Sequence, residues 1–254
     1  MEMTIRLAED QPPFRLGKGQ DLSIPLVGGQ ENLNAWYIGP PTIGPHVDGD
    51  FVGSVEQGAS TNFNTITFNP HAHVTHTECL GHISKEFHSV NRIFPLPFLA
   101  GVTLSVTPEK KGEDQLITEE LLEESLRNLG SAPFLVKALL IRTLPNVADK
   151  RSQQYSHSNP PYLTEGAAIW LREMGVEHLL IDLPSVDREV DGGALQAHKA
   201  FWGLPAKPRT AATITEFIFV PNEVEDGFGF LDLQVAPIKN DASPSRPVWY
   251  KVVN

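Results

Sequence analysis

The sequence has a single cysteine, Cys79, among its 254 residues. One cysteine excludes an intrachain disulfide framework and any zinc site built from cysteines alone. Basic residues are also few, since 20 Lys and Arg stand against 31 Asp and Glu, for a net charge of −11 and a pI of about 5.2. An acidic chain without a basic stripe is poorly suited to bind the phosphate backbone of nucleic acids. We therefore expect no nucleic-acid partner.

Long apolar segments are missing as well. No run of about 18 uncharged apolar residues occurs in the sequence, so we expect no membrane-spanning helix. The first ten residues include Arg6, Glu9 and Asp10 and lack the apolar core of a signal peptide. These features predict a cytoplasmic protein with no membrane partner.

The remaining composition is that of an ordinary globular protein, with 41% hydrophobic and 20% charged residues and a mean hydropathy of −0.18. A chain of this length could form one large domain or two small ones. We find no linker long enough to divide it. The expectation is a single domain over residues 1–254, with a Pro- and Gly-rich N-terminal part over about residues 1–60.

Capping residues predict two helices. Thr118 precedes an acidic turn and an amphipathic run, Thr164 precedes a second such run, and each run ends at a glycine. Apolar segments at 134–141 and 178–181 follow the two helices and are typical of buried strands. Helices that alternate with strands predict a mixed α/β core.

Other segments complete the prediction of secondary structure. Alternating residues over 62–68 predict a half-buried strand, and further strands are expected over 213–220 and 230–235. The Pro- and Ser-rich segment 241–247 is predicted to be a loop.

Histidine is the informative residue type. Five of the nine histidines fall within 18 consecutive positions, together with a glutamate. Neutral imidazole and carboxylate groups are ligands of zinc, manganese and iron. This density predicts a metal site. The five histidines and the glutamate of this segment are His71, His73, His76, Glu78, His82 and His88.

Strand geometry limits which of these side chains can share one face. His76 and Glu78 would lie on the same face of a strand, whereas His71 and His73 would point to the opposite face. A one-residue bulge between residues 71 and 76 would bring the two sets together. We predict such an irregularity, because a straight ladder through 71–78 would remove His71 and His73 from the site.

The histidine segment resembles the signature of the metal-dependent cyclase family, which includes bacterial kynurenine formamidase and isatin hydrolase. That signature is H-x-G-T-H-x-D-x-P-x-H. Thr75-His76, Glu78 and His82 match its T-H pair, its acidic residue and its last histidine. The chain departs from it at three positions, where Ala72, Val74 and Leu80 replace His, Gly and Pro.

Later segments resemble the same family in the same order. Residues 181–187, IDLPSVD, are similar to its G-I-D-T-P-S-V-D segment, and residues 195–199, LQAHK, are similar to its L-x-x-H-H/K segment. Residues 213–216 resemble the strand that carries a late glutamate. The resemblance implies a mixed α/β domain of the swivelling β/β/α type, assembled as a homodimer or a homotetramer.

The resemblance also implies a set of metal ligands. His76 and Glu78 would hold one divalent ion, with His71 or His73 as a further ligand, and we predict His71. Zinc and manganese are the expected cofactors, with one or two ions per chain.

A second ion and the catalytic groups follow from the same resemblance. Glu78 could bridge to a second metal held by His198 and Glu216, while His82 would lie beside the metal-bound water. A divalent cation lowers the pKa of bound water from about 15.7 towards about 7, and His82 or Glu216 could pass its proton to a leaving nitrogen. The predicted function is therefore metal-dependent hydrolysis of a carbon–nitrogen amide bond in a small formamide or cyclic amide, as in an arylformamidase.

Two other functions remain open at the level of the sequence. His71, His73 and Glu78 have the H-x-H-x4-E spacing of a cupin, which would make the chain a mononuclear metal oxygenase, although the flanking glycines and the second cupin motif are missing. The three departures from the cyclase signature would also suit a non-catalytic protein of the same fold that binds a small molecule or a metal.

Four further residues allow alternatives. Asp182 and Asp187 could orient a ligand histidine or could be turn residues around a proline. Trp36 and Trp202 flank polar or Gly-rich segments and could line an aromatic pocket.

Overall fold

A computed structural model describes residues 3–10, 12–93 and 98–253. Its helices are α1 Pro70–His73, α2 Glu119–Asn128, α3 Glu165–Glu173 and α4 Gln196–Phe201. Short 3-10 segments occur at Val55–Gln57, Leu80–His82, Val90–Arg92 and Ala148–Arg151. The strands are β1 Met3–Ile5, β2 Phe14–Leu16, β3 Gln20–Asp21, β4 Thr42–Pro45, β5 Val47–Asp48, β6 Phe51–Val52, β7 Asn64–Thr67, β8 His76–Cys79, β9 Leu99–Val106, β10 Glu109–Lys111, β11 Asp114–Ile117, β12 Ala138–Thr143, β13 Tyr162–Leu163, β14 His178–Ile181, β15 Thr213–Glu216, β16 Gly227–Val235 and β17 Ala242–Val253.

Within the described residues, seven strands close into a barrel in the order β17-β16-β9-β12-β14-β15-β8, and β8 pairs back to β17. Strands β9, β12, β14 and β15 are parallel, whereas β8, β16 and β17 are antiparallel to their neighbours. Strand β12 reads ALLIRT and is buried along its whole length. Its first four residues, ALLI, form the apolar run that is expected for a parallel strand covered on both faces. The predicted mixed α/β fold is confirmed.

Both predicted helices are confirmed, and each begins at its predicted cap. Thr118 Oγ1 accepts a hydrogen bond from Leu121 N at 3.3 Å, and Thr164 Oγ1 accepts one from Ala167 N at 3.2 Å. Such a cap contributes about 1 kcal/mol to helix stability. The apolar faces of α2 and α3 pack in the core cluster that also covers β9, β12 and β14.

The prediction of a loop over 241–247 is wrong, because strand β17 runs from Ala242 to Val253. Proline cannot donate a hydrogen bond within a ladder. The two prolines of this strand nevertheless use their carbonyl groups, since Pro244 O accepts from Ala236 N at 2.8 Å and Pro247 O accepts from Leu22 N at 2.9 Å. Strand β17 therefore pairs with β16 on one side and with β8 on the other, despite its two prolines.

The prediction of a half-buried strand over 62–68 is correct only in part. Residues Asn64–Thr67 form β7, but all four are exposed. Strand β7 pairs with β4 in a separate two-stranded sheet. The alternating sequence therefore predicted the strand correctly. Its burial was not predicted correctly, because no other element among the described residues covers either face of β7.

The N-terminal part consists of short strands and loops, as predicted. Its segment around Ile24 and Leu33 packs against Tyr155 and Phe217 in a small core cluster. Phe217 directly follows β15, so this cluster attaches the N-terminal part to one end of the barrel.

The helices of the described residues are all too short or too polar to span a membrane.

Candidate metal centre

The first part of the histidine segment is a helical turn. Asn69 caps helix α1 by accepting a hydrogen bond from His71 N at 2.9 Å, and Pro70 takes the first helical position, where its missing N–H costs nothing. Val74 then returns to extended geometry, with φ −153° and ψ 154°, and leads into His76 at the start of β8. The predicted irregularity is present, but it is a helical turn rather than a one-residue bulge.

This turn separates His71 from His73. His71 Nδ1 lies 3.2 Å from Glu78 Oε2. His73 faces away, because its Nδ1 accepts a hydrogen bond from Asn69 N at 2.9 Å and its Nε2 lies 3.0 Å from the carbonyl oxygen of Gly39. With both ring nitrogens engaged, His73 is unsuited to bind a metal. The ring of His71 therefore lies beside Glu78 and that of His73 does not, so the three residues of the H-x-H-x4-E spacing do not face one common point.

His76 and Glu78 share one face of β8, as predicted, and both are completely buried. The Nδ1–H group of His76 donates to the carbonyl oxygen of Val74 at 3.0 Å, so its Nε2 is the nitrogen with the lone pair. That Nε2 lies 3.4 Å from Glu216 Oε2. Burial lowers the pKa of His76 to about 3. The ring is therefore neutral at physiological pH, which is the form that binds metals.

Two buried atoms in this cluster lack a hydrogen-bond partner among the described residues: His76 Nε2 and Glu78 Oε2. His71 Nδ1 is near this carboxylate oxygen without the alignment of a hydrogen bond. A buried polar atom without a partner costs about 1–3 kcal/mol. A cation bound between the two atoms would satisfy both.

Helix α4 contributes His198. Its Nδ1–H donates to Asp187 Oδ2 at 2.5 Å, and its Nε2 lies 3.0 Å from Glu78 Oε1. Asp187 also accepts from Ala197 N at 2.6 Å, so it holds the start of the helix and the ring together. Burial opposes protonation of His198, but the hydrogen bonds to Asp187 and Glu78 outweigh it and raise the pKa to about 10. Of the two alternatives for Asp187, the structure supports orientation of a histidine.

Strand β15 contributes Glu216, which faces Glu78 across the cluster. Its Oε1 accepts a hydrogen bond from Val186 N at 3.2 Å. Burial and the charge of Glu78 raise the pKa of Glu216 to about 8. Burial also opposes ionisation of Glu78, but the neighbouring His82, His198 and His71 hold its pKa well below the usual range. Two buried carboxylates facing each other form a site that favours cations.

His82 lies at the end of a 3-10 turn, so β8 does not continue to it. Its Nδ1 is nevertheless 3.7 Å from Glu78 Oε2, and its side chain is 30% exposed. His82 is therefore the histidine of the cluster most open to a bound molecule.

Sequence reasoning missed Asp241, whose Oδ2 lies 3.2 Å from His71 Nε2 and 3.6 Å from His82 Nδ1. This residue directly precedes β17, in the segment that was predicted to be a loop. The pairing of β17 with β8 brings it to the site. No motif or spacing in the sequence carries that information.

Among the described residues, three overlapping groups of side chains could each hold a metal ion, with ligand atoms within 4.8 Å of one another. Glu78 belongs to two of the groups, which suits a bridging ligand. Ligand atoms at about 2.0–2.1 Å from a tetrahedral ion lie about 3.3–3.4 Å apart, close to the 3.2 Å between His71 Nδ1 and Glu78 Oε2. The groups are His71, His76 and Glu78; Glu78, His82 and His198; and His71, His82 and Asp241.

A cavity of about 360 Å³ opens onto the cluster. Its apolar wall includes Trp36, Ile38 and Leu195, and its polar floor includes His82 and Glu216. The arrangement is typical of a site for a small molecule, in which apolar walls surround a few polar groups.

Trp36 and Trp202 have different positions relative to the cavity. Trp36 lines the cavity, and its Nε1–H donates to the carbonyl oxygen of His71 at 3.0 Å. Trp202 is fully buried behind the site, where its ring centroid lies 5.4 Å from that of His198 and its Nε1–H donates to Ala212 O. Only Trp36 is placed to touch a ligand.

Two residues that line this cavity have a left-handed backbone. Trp36 and Leu195 have φ of 62° and 48°, in the region that non-glycine residues rarely adopt. Phe217, which directly follows Glu216, has φ of 56°. Such conformations cost about 1–3 kcal/mol each and persist only where the surrounding structure holds them.

The chain matches the model of the Cyclase family over residues 3–188. This match includes the histidine segment and ends before His198 and Glu216, so the assignment of these two residues depends on the geometry above. A search among curated protein sequences found no match.

Several solved structures share the fold. A predicted metal-dependent hydrolase from Bacillus stearothermophilus is 17% identical, with a TM-score of 0.59 over 92% of this chain and 98% of that chain. An isatin hydrolase bound to the product analogue thioisatinate is 15% identical, with a TM-score of 0.67 over 92% of this chain and 93% of that chain. Isatin hydrolase A from Labrenzia aggregata, bound to benzyl benzoate, is 15% identical, with a TM-score of 0.67 over 93% and 94% of the two chains. At these identities the likeness concerns the fold alone.

Proposed function

The chain belongs to the Cyclase family, and from this premise we propose that it is a metal-dependent hydrolase that cleaves a carbon–nitrogen amide bond in a small formamide or cyclic amide. The observation that carries the proposal is the pair of buried atoms, His76 Nε2 and Glu78 Oε2, which find no partner in the described part of the chain. Isatin, the substrate in the name of two similar structures, is itself a cyclic amide.

The residues of the cluster fit a divalent metal, because imidazole nitrogens and carboxylate oxygens suit both zinc and manganese. His71, His76 and Glu78 would hold one ion. When bound, the ion supplies an activated water and polarises the amide carbonyl. Glu78, His198 and Glu216 would hold a second ion.

Proton transfer falls to the groups that border the cavity. His82 is within reach of both the metal ligand Glu78 and the open space, so it can accept a proton from water and return it to the leaving nitrogen. Glu216 is the second candidate for this role, because its carboxylate lies at the polar floor of the cavity beside Glu78.

The cavity supports a small substrate with an apolar part. Its volume of about 360 Å³ is at the lower end of the range for small-molecule sites, about 300–1,000 Å³. Trp36, Ile38 and Leu195 offer apolar and aromatic surface to such a molecule. An N-formyl aryl amine or a ring-fused cyclic amide would place its ring against this wall and its amide over the polar floor.

The test is hydrolysis of N-formyl aryl amines and cyclic amides by chelator-stripped protein and by the same protein reloaded with zinc or manganese. We expect turnover only after reloading. Glu78→Gln should stay inactive after reloading, whereas Glu86→Gln, at a carboxylate that is 88% exposed and outside the cluster, should behave like the wild type. Full activity of the stripped protein would refute the metal-dependent mechanism.

Of the two alternatives, the cupin oxygenase loses support, because His73 is turned away from Glu78. The non-catalytic binding protein predicts bound metal and bound amide without turnover, so the same assay separates it from the hydrolase. We also propose that the enzyme acts in the cytoplasm as a homodimer or homotetramer, and light scattering of the purified protein tests the assembly.

A further inference from the structure

Histidines that bind metals usually donate their second ring N–H to a fixed acceptor, which sets the tautomer and aims the ligand nitrogen. Two histidines of the cluster follow this rule. His76 donates to the carbonyl oxygen of Val74 at 3.0 Å, and His198 donates to Asp187 at 2.5 Å. In both rings the remaining nitrogen faces the glutamates.

The third ring, that of His71, has an acceptor that the motif does not contain. Its Nε2–H donates to Asp241 Oδ2 at 3.2 Å, while its Nδ1 lies 3.2 Å from Glu78 Oε2. We propose that Asp241 is a positioning residue, whose carboxylate holds His71 so that Nδ1 is aimed at the metal. This inference rests on the proposed function, because it assigns a role to Asp241 in the same site.

The need for such a residue follows from where His71 lies. It is on a helical turn of four residues, and its side chain is 21% exposed, whereas His76 is fully enclosed within β8. A ring on a short, partly exposed turn has more rotamer freedom than one inside a barrel strand. An external acceptor is therefore worth more to His71 than to His76.

Asp241 is well placed to supply that restraint. Its carbonyl oxygen accepts a hydrogen bond from Cys79 N at 3.0 Å, and the next residue, Ala242, pairs with Glu78 in the ladder between β17 and β8. The orienting carboxylate and the glutamate are thus attached to the same pair of strands. The hydrogen bond to Asp241 therefore ties the ring of His71 to the strand that pairs with the strand of Glu78.

Direct ligation by Asp241 is the competing role, since His71, His82 and Asp241 could themselves surround an ion. A neutral imidazole has one lone pair. If His71 gave Nε2 to that ion, its Nδ1 could no longer serve the group that contains His76 and Glu78. In this cluster, the buried atoms that lack a partner among the described residues belong to His76 and Glu78. The positioning role satisfies them, and the competing role does not.

The test is titration of metal-free protein with cobalt(II) in competition with a chelator, recorded by visible absorption at one pH. For Asp241→Asn we expect the same number of bound ions and the same absorption band, with a dissociation constant about 10–100-fold higher than that of the wild type. Asp241→Glu should recover part of the affinity, because it restores the carboxylate. Asp232→Asn, on strand β16, should match the wild type.

A double-mutant cycle separates positioning from a general effect on the fold. If Asp241 acts through His71, then Asp241→Asn should weaken cobalt binding in the wild type and cause no further loss in His71→Gln. An equal loss in both backgrounds would overturn the inference, and so would an unchanged affinity in Asp241→Asn. Loss of a whole equivalent of cobalt would overturn it in favour of direct ligation. Wild-type protein that binds no cobalt would overturn the proposed function itself.

Discussion

Two buried clusters of charged side chains lie at the barrel, and they differ in how fully their hydrogen bonds are satisfied. Lys150 Nζ donates to Thr143 O, Thr143 Oγ1 and Asp182 Oδ2 at 2.6, 2.8 and 2.8 Å, which uses all three of its donors. The cluster around the glutamates instead leaves His76 Nε2 and Glu78 Oε2 without partners among residues that the structure describes. The first cluster satisfies its own donors, whereas the second leaves two buried atoms that a bound cation could satisfy.

The same contrast separates two aspartates that are five positions apart. Asp182 accepts from Thr143 N and from Lys150, while Asp187 accepts from the ring of His198. Both aspartates lie in one motif-like segment and both are buried. Burial and charge therefore do not identify a functional carboxylate. What distinguishes Asp187 is that its partner presents a second nitrogen to the open cluster.

Removal of the shared ligand should have the largest effect. Glu78→Ala deletes a carboxylate that belongs to two of the possible metal groups. We expect loss of bound metal and of amide hydrolysis, with a fall in metal affinity that exceeds the roughly 10–100-fold effect of changing an outer partner. Elemental analysis and the hydrolysis assay measure the two losses. If the variant retained its metal and full activity, Glu78 would not be a metal ligand.

Loss of the lysine from the cluster of Lys150 and Asp182 should lower the stability of the fold rather than metal binding. Lys150→Met leaves the Asp182 carboxylate buried and unpaired, which we expect to lower the free energy of unfolding by about 3–5 kcal/mol. Urea denaturation of metal-free protein measures this loss. The metal content of the folded fraction should be unchanged. A fall in metal content with little loss of stability would reverse the roles that we assign to the two clusters.

His82→Ala tests the exposed histidine of the open cluster. We expect the metal to remain bound and the rate of hydrolysis to fall about 100-fold to 10,000-fold, which is the usual contribution of a general acid–base group. Parallel measurements of kcat and of metal content distinguish the possibilities. Loss of metal would make His82 a ligand.

A histidine outside both clusters provides a reference for the effect of pH. Burial lowers the pKa of His178 to about 4, from an ordinary value of 6.5. Because the folded-state pKa is depressed, the full stability is present above about pH 6.5 and is lost as the pH falls towards 4. At pH 4.5 this loss should be about 2–3 kcal/mol. His178→Gln should show a correspondingly smaller fall between pH 7 and pH 4.5 in urea denaturation, and an identical fall would exclude His178 as a cause.

Features that depend on neighbouring residues were predictable from the sequence. The caps at Thr118 and Thr164 determine where helices α2 and α3 begin, and each acts within three residues of itself. His71, His76 and Glu78 lie close together in the chain, so any turn that corrected their alternation would bring them together. The kind of turn was wrong in the prediction, and it brings His71 but not His73 to Glu78.

Distant contacts that no family motif carries were not predictable. Asp241 reaches His71 across 170 positions, through the ladder between β17 and β8. The prolines of β17 indicated a loop because local rules cannot show that Pro244 and Pro247 need only their carbonyl groups in this barrel. Strand β7 was predicted to be half buried because alternation does not reveal whether another layer covers it.

The claim that the open cluster is completed by a metal can be tested directly by elemental analysis of untagged protein purified without a chelator. We expect one or two zinc or manganese ions per chain, and none in Glu78→Ala. Wild-type protein that contains no metal, even after incubation with zinc or manganese, would contradict it.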